Sequence, residues 1–259
     1  MFVEGRIIQM LLMILTIVAI YFYTDAVKKG REVTIRPIPA LDAIEEAVGR
    51  ASETGRPVHF TPGYTLGGLY NPTMGPGVMA GITILSKVAE VTARLGTGII
   101  VSLAQAEAVP LVEETLKVAY RAQNLEVPAN AVRFISTEQY AYAAGILSIL
   151  LEERPGANIL MGYFWSESLQ FAEGGSYVGA MQIGGTCSPS QIPFFVASCD
   201  YCLIGEELFA AKGYIDRDPA SLGSLLASDI LRSILIGIVI VSFLAFNLNI
   251  GLIIDLLRM

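Results

Sequence analysis

Two uncharged apolar runs lie near the ends of the chain, and short apolar segments alternate with amphipathic ones between them. Ile7 to Tyr23 carries no charged residue and is interrupted only by Gln9 and Thr16. At about 1.5 Å per residue it reaches roughly 25 Å, slightly short of the ~30 Å hydrocarbon core of a bilayer. Ile234 to Ile254 is longer and also uncharged, although Asn247 and Asn249 fall within it. Both runs predict membrane-spanning helices. Glu4 offsets Arg6 ahead of the first run and no small-residue cleavage site follows Tyr23, so the run predicts a retained anchor.

Between the runs the apolar period switches repeatedly from helix-like to strand-like. Leu41, Ile44, Val48 and Ala51 mark a helix that Gly55 and Pro57 end, and Val58 to Thr61 reads as a strand. Val78 to Leu95 is a helix with Ile82, Leu85, Val88 and Leu95 inward; Ile99 to Leu103 is a strand covered on both faces. Pro110 opens a helix that places Leu111, Val118 and Ala122 inward, and Val132 to Ile135 is the third strand. Ser136 and Gln139 form a capping-box pattern at the start of a helix through Leu151. Ile159 to Tyr163 is the fourth strand, with Met181 to Ile183 and Phe194 to Ser198 as further strands. Asp218-Pro219 reads as an N-cap and N1 pair opening a helix that continues into the second span.

Strands separated by helices of this length predict βαβ units. The expected fold class is therefore α/β: a Rossmann-like, mostly parallel sheet with flanking helices, plus one N-terminal and one C-terminal transmembrane helix. Residues 1–24 form the anchor, 25–231 the α/β domain and 232–259 the second membrane helix. Lys28, Lys29 and Arg31 follow the first span and Arg232 precedes the second, against Arg6 and Arg258 outside. This bias predicts a two-pass protein of the cell membrane with its central domain in the cytoplasm. Three cysteines, an odd number, agree with a reducing compartment.

Composition narrows the partners. Hydrophobic residues make up 53% of the chain, charged residues 16%, and mean hydropathy is +0.57. The formal charge of −7 disfavours a nucleic-acid partner held by phosphate contacts. The lipid bilayer is the first partner implied, and no motif calls for a cofactor.

Candidate chemistry is sparse. The segment from Pro62 to Gly77 joins a strand to a helix and holds Gly63, Gly67, Gly68, Thr73, Gly75 and Gly77. Glycine-rich connections of this kind can present backbone N–H groups to a phosphate. About sixteen residues replace the tight turn of a dinucleotide fingerprint, so a shaped structural loop stands beside the anion-site reading. His59, the single histidine, falls near the carboxyl end of the first strand, where doubly wound sheets bind ligands. A satisfied core histidine is its alternative. Cys187, Cys199 and Cys202 with His59 could supply four zinc ligands, and Cys199 to Cys202 has zinc-knuckle spacing; buried apolar thiols are the alternative. An extended 199–202 segment would point its two thiols to opposite faces. In the second span, Ser233 and Gly237 form a small-xxx-small pair, and Asn247 and Asn249 seek partners in a neighbouring helix.

The stretch Ile38 to Arg50 (IPALDAIEEAVGR), the following Gly55-Arg56-Pro57-Val58-His59-Phe60 and the later Gly174 to Thr186 (GGSYVGAMQIGGT) resemble a family of uncharacterised prokaryotic membrane proteins. That resemblance implies membrane attachment and a shared Rossmann-like cytoplasmic domain, and it assigns no catalytic residue. The functional expectation is a structural or assembly subunit of a homo-oligomeric or multi-protein membrane complex. The alternative is a nucleotide or small-anion sensor at the strand-end glycine loop. A membrane-bound enzyme of unknown reaction comes third.

Overall fold

The computed structural model describes residues 7–33 and 36–247. The chain divides into two compact units, one of its ends (Met1–Arg36 with Asp216–Met259) and one of its middle (Pro37–Ile215).

In the end unit, α1 spans Ile7–Lys28 and the last helix, α9, spans Pro219–Asn247. Both are long and apolar enough to cross a membrane. α9 runs without a break from the expected cap, where the Asp218 carboxylate accepts the N–H groups of Ala220 and Ser221 at 3.2 and 3.1 Å. Thr16 and Ser242 return their hydroxyls to carbonyls four residues earlier, leaving no bare polar group on the helix surface at those positions.

The middle unit begins with α2 (Pro39–Glu53), β1 (Val58–Gly63), α3 (Gly75–Leu95) and β2 (Ile99–Leu103). A 3-10 turn (Ala106–Ala108), α4 (Val109–Ala122), β3 (Val132–Phe134), α5 (Gln139–Glu153) and β4 (Ala157–Tyr163) follow. α6 (Glu167–Tyr177), β5 (Met181–Thr186), α7 (Ile192–Ser198), β6 (Tyr201–Ile204) and α8 (Glu207–Asp216) complete it. All six strands are parallel, in the order β3-β2-β1-β4-β5-β6. That is the doubly wound order, and its direction reverses between β1 and β4. Right-handed crossovers then require the helices before and after the reversal to cover opposite faces. Accordingly α2, α3, α4 and α8 line one core, while α5, α6 and α7 line the other. Strands β1, β2 and β5 are buried throughout, which explains their lack of polar alternation.

Close approach at the reversal depends on glycine. A Cβ on Gly81 of α3 would meet the Met161 carbonyl oxygen at 1.9 Å, and one on Gly63 would meet that of Tyr163 at the same distance. α3 therefore lies directly on β4, and β1 can close on β4 at its end.

Several expectations are corrected. Phe194 to Ser198 is part of helix α7, not a strand; Pro193 sits in its first turn, where a missing N–H costs nothing. The strand of that region is β6, three residues later. On α4 the buried residues are Val112, Leu116 and Tyr120, whereas Leu111 and Val118 are exposed. Two apolar stripes lie about 140° apart on that helix, and periodicity alone does not choose between them. Leu95 is also exposed. Ser136 does not form a capping box: its hydroxyl accepts the Glu138 N–H, and the Gln139 side chain reaches Glu167 instead.

Candidate functional site

The centre of the sheet holds four buried polar side chains on adjacent strands: Ser102 of β2, His59 of β1, Asn158 of β4 and Gln182 of β5. In-register pairing puts His59 beside Asn158 and Asn158 beside Gln182. Asn158 Nδ2 donates to the Phe171 carbonyl at 3.2 Å and to Gln182 Oε1 at 3.0 Å, so Asn158 Oδ1 is an acceptor. It takes the proton of His59 Nδ1 at 2.8 Å. His59 Nε2 is then bare and accepts the Ser102 hydroxyl at 3.0 Å. Gln182 Nε2 completes the chain by donating to the Ala172 carbonyl at 2.8 Å and to Ser176 Oγ at 2.9 Å.

Ser102, His59 and Asn158 thus stand as nucleophile, base and orienting group would. All three are fully buried, and every nitrogen of the imidazole is committed inside the sheet. His59 occupies the second position of β1, well short of the strand end expected for it. Burial drives its pKa down to about 4, against the raising effect of the Asn158 hydrogen bond. The arrangement is a neutral structural chain.

The carboxyl ends of the strands are different. Thr61 Oγ1 bonds the Tyr142 hydroxyl, which also donates to the Gly63 carbonyl, and burial pushes the Tyr142 phenol up. The buried Glu167 carboxylate accepts from Gln139 Nε2 at 2.6 Å and from the Trp165 N–H at 2.9 Å. Just past the ends of the neighbouring strands β1 and β2 lie Thr65 and Gln105, 4% and 2% exposed. Neither Thr65 Oγ1 nor either polar atom of the Gln105 amide has a hydrogen-bond partner among the described residues. The loop after Thr65 is tied down beside Gln105, because the Leu69 N–H donates to Glu107 Oε1 at 3.0 Å. Thr97 Oγ1, before β2, is also buried without a partner among the described residues. Thr65 and Gln105, at the ends of neighbouring strands, together mark the strand ends as the candidate site, since such groups each cost free energy unless something pairs with them. Nothing in the sequence separates Thr65 or Gln105 from the other polar residues that end apolar runs.

The helix-proximal half of the glycine loop turns its amides inward. Thr73 and Met74 N–H groups go to Asn71 Oδ1, Gly75 N–H to the Asn71 carbonyl and Gly77 N–H to the Met74 carbonyl. Gly63 sits against Tyr163, Gly68 against Glu107, and Gly77 against Cys187 and Tyr163; Gly67 faces open space. Cys187 therefore belongs to the α3 side of the sheet, while Cys199 and Cys202 pack against the opposite core. The three thiols do not converge, and no cluster of three metal-binding side chains occurs among the described residues. Cys199 and Cys202 lie on one face, contrary to the extended-segment expectation, because Cys199 ends helix α7.

A groove of about 380 Å³ lies elsewhere, between α2, α3 and α8. Its charges are already matched: Tyr214 donates to Asp42 at 2.6 Å, and Glu45 is held below its usual carboxylate range chiefly by Arg94. The unmatched groups at the strand ends, not this groove, locate the candidate site.

In the end unit, Ser233 and Asn247 bond the carbonyls of Asp229 and Phe243 on their own helix, and Gly237 meets no neighbour within 4 Å. The tight helix contact is instead Gly223 against Thr24. Asn249 lies outside the described residues.

Fold and site define a doubly wound α/β protein with two terminal helices capable of crossing a membrane. The chain belongs to the family described as Domain of unknown function (DUF6754), whose model matches residues 1–257. No curated protein and no solved structure matches it.

The buried histidine makes stability pH-dependent. Its folded pKa lies below the unfolded value, so its contribution is complete above pH ~6.5 and is lost as pH falls towards about 4. The loss approaches about 3 kcal/mol. Urea unfolding of the full chain in detergent, followed by Trp165 fluorescence, should show midpoints falling from pH 7 to pH 5. His59→Gln should reduce that fall; an equal fall in both proteins contradicts the assignment.

Proposed function

We propose that this protein is a membrane-tethered binding module that senses a small polar ligand at the carboxyl ends of β1, β2 and β4. The observation that carries this reading is the Gln105 amide, 98% buried with neither polar atom paired among the described residues. Its position supports the reading: it follows β2, next to β1 at the reversal, and ligands of doubly wound sheets bind outside the carboxyl ends of strands near that point. The two terminal helices supply the tether, with the basic flanks orienting the α/β unit towards the cytoplasm of the cell.

Charge favours a neutral or cationic ligand over the nucleotide or anion expected from the glycines. The loops that follow the six strands contain no Lys or Arg, but they contain Glu107 and Glu138, and Glu167 opens the next helix. Arg50, Arg94 and Arg121 occupy the last turns of α2, α3 and α4, at the other end of the unit. Helix dipoles favour this sorting, since acids stabilise N-termini and bases C-termini. The outcome is a strand-end face already supplied with negative charge.

Replacing Gln105 with Met separates binding from architecture. An unpaired buried amide is a liability, so Gln105→Met should raise the stability of the ligand-free protein by about 1–3 kcal/mol. It should also abolish the Trp165 fluorescence response and thermal shift given by small amides and amines, to which nucleotides and phosphate give none. A destabilised Gln105→Met protein, or no response to any compound class, counts against the reading.

Assembly is the second reading, favoured by Leu111 and Val118 on the outer side of α4 and Phe134 on edge strand β3, all exposed. Apolar groups at a short sheet edge suit pairing with a second copy of the chain or with another membrane protein. A detergent-solubilised particle with the mass of several chains, reduced to one by Val118→Glu, supports it; a monomer at all concentrations opposes it.

A further inference from the structure

The Cys-x-x-Cys segment of the α7–β6 connection is built as a facing pair of thiols. Cys199 caps the end of α7 in extended conformation, and Cys202 is the second residue of edge strand β6. Gly184 of β5 is the in-register partner of Cys202. A Cβ on Gly184 would meet Cys199 Sγ at 2.8 Å, so the Cys199 sulfur rests over this glycine, beside Cys202 and on the same face of the sheet. Cys202 Sγ donates to the Phe195 carbonyl at 3.2 Å, and Phe195 also lies against Gly184, beside the Cys199 sulfur. Asp200, between them, is fastened to β5 twice: its N–H donates to the Gln182 carbonyl at 2.9 Å and its Oδ2 accepts the Gln182 N–H at 2.7 Å. The backbone thus keeps the two residues adjacent on one face of the sheet. Both residues are partly exposed, and β6 ends the sheet.

We propose that Cys199 and Cys202 form a reversible dithiol–disulfide site that exchanges with low-molecular-weight or protein disulfides. Cys202 is the attacking sulfur. Interaction with the neighbouring Cys199 thiol lowers the Cys202 thiol, whereas interaction with Cys202 and burial raise Cys199. The Cys202 thiolate, its proton passed to solvent, attacks one sulfur of the oxidant disulfide. This forms a mixed disulfide and expels one thiolate, which is protonated by solvent. Cys199 then loses its proton to solvent and attacks the Cys202 sulfur, expelling the second thiolate. Two protein thiols give up two electrons and two protons, and the oxidant disulfide becomes two thiols. Oxidation removes the Cys202 hydrogen bond to Phe195 and fixes the end of α7 to β6. Cys187, packed against Gly77 on the other side of the sheet, takes no part.

The test uses the full chain in detergent, equilibrated in glutathione buffers of increasing oxidised fraction, quenched by alkylation and read by mass spectrometry. The expected product is an internal disulfide, about 2 Da lighter than the dithiol, linking Cys199 to Cys202 and reversed by excess reduced glutathione. Cys187→Ser should keep it. Cys199→Ser should instead hold one glutathione on Cys202 and acquire it several-fold faster than Cys202→Ser acquires one on Cys199. Full alkylation of both thiols in wild-type protein at every glutathione ratio overturns the proposal. So does a disulfide that includes Cys187. The wild-type measurement decides even if a variant fails to fold.

Discussion

Four polar side chains in the middle of a parallel sheet can be buried only if they satisfy one another, and that constraint governs this fold. Ser102, His59, Asn158 and Gln182 do so across β2, β1, β4 and β5, the strands that span the reversal of order. Each link determines the next. The carbonyls of Phe171 and Ala172 on α6 orient the two amides, the Asn158 amide fixes the imidazole tautomer, and the bare imidazole nitrogen receives Ser102. A polar chain satisfied at every member specifies one register, because sliding any strand would strand a donor or acceptor.

Sealing the centre leaves function to the edges. The Ser-His-Asn order looks catalytic on paper, yet it lies beneath helices on both faces and its imidazole stays neutral. At the strand ends, by contrast, Gln105 and Thr65 are buried without being matched. The close contacts of Gly63 and Gly81 with β4 bring α3 over the reversal, and the loop between β1 and α3 closes on Glu107. Those unmatched groups are the ground of the proposed ligand site.

Much of the fold was legible in the sequence because apolar periodicity reports burial directly. The α2 stripe of Leu41, Ile44, Val48 and Ala51 is buried as expected, and β2 occupies its expected residues Ile99 to Leu103. The cap at Asp218 was also readable, since that motif is local. Failures came where local pattern underdetermines the answer. Phe194 to Ser198 is too short for period to distinguish helix from strand, and α4 carries two apolar stripes. α6 and α8 escaped notice because Gly174, Gly175 and Gly213 dilute their helical signal. The candidate site was almost illegible. The glycines mark a loop whose amides next to α3 are internally bonded, while Gln105 matters only through what tertiary packing withholds from it.

The buried chain is tested most directly by the nitrogen NMR spectrum of the full chain labelled at histidine, which contains one imidazole and therefore one pair of ring signals. The account predicts a proton on Nδ1, a bare Nε2 and signals that do not move between pH 8 and pH 5.5. A proton on Nε2, or an imidazolium that titrates near pH 6.5, would contradict it.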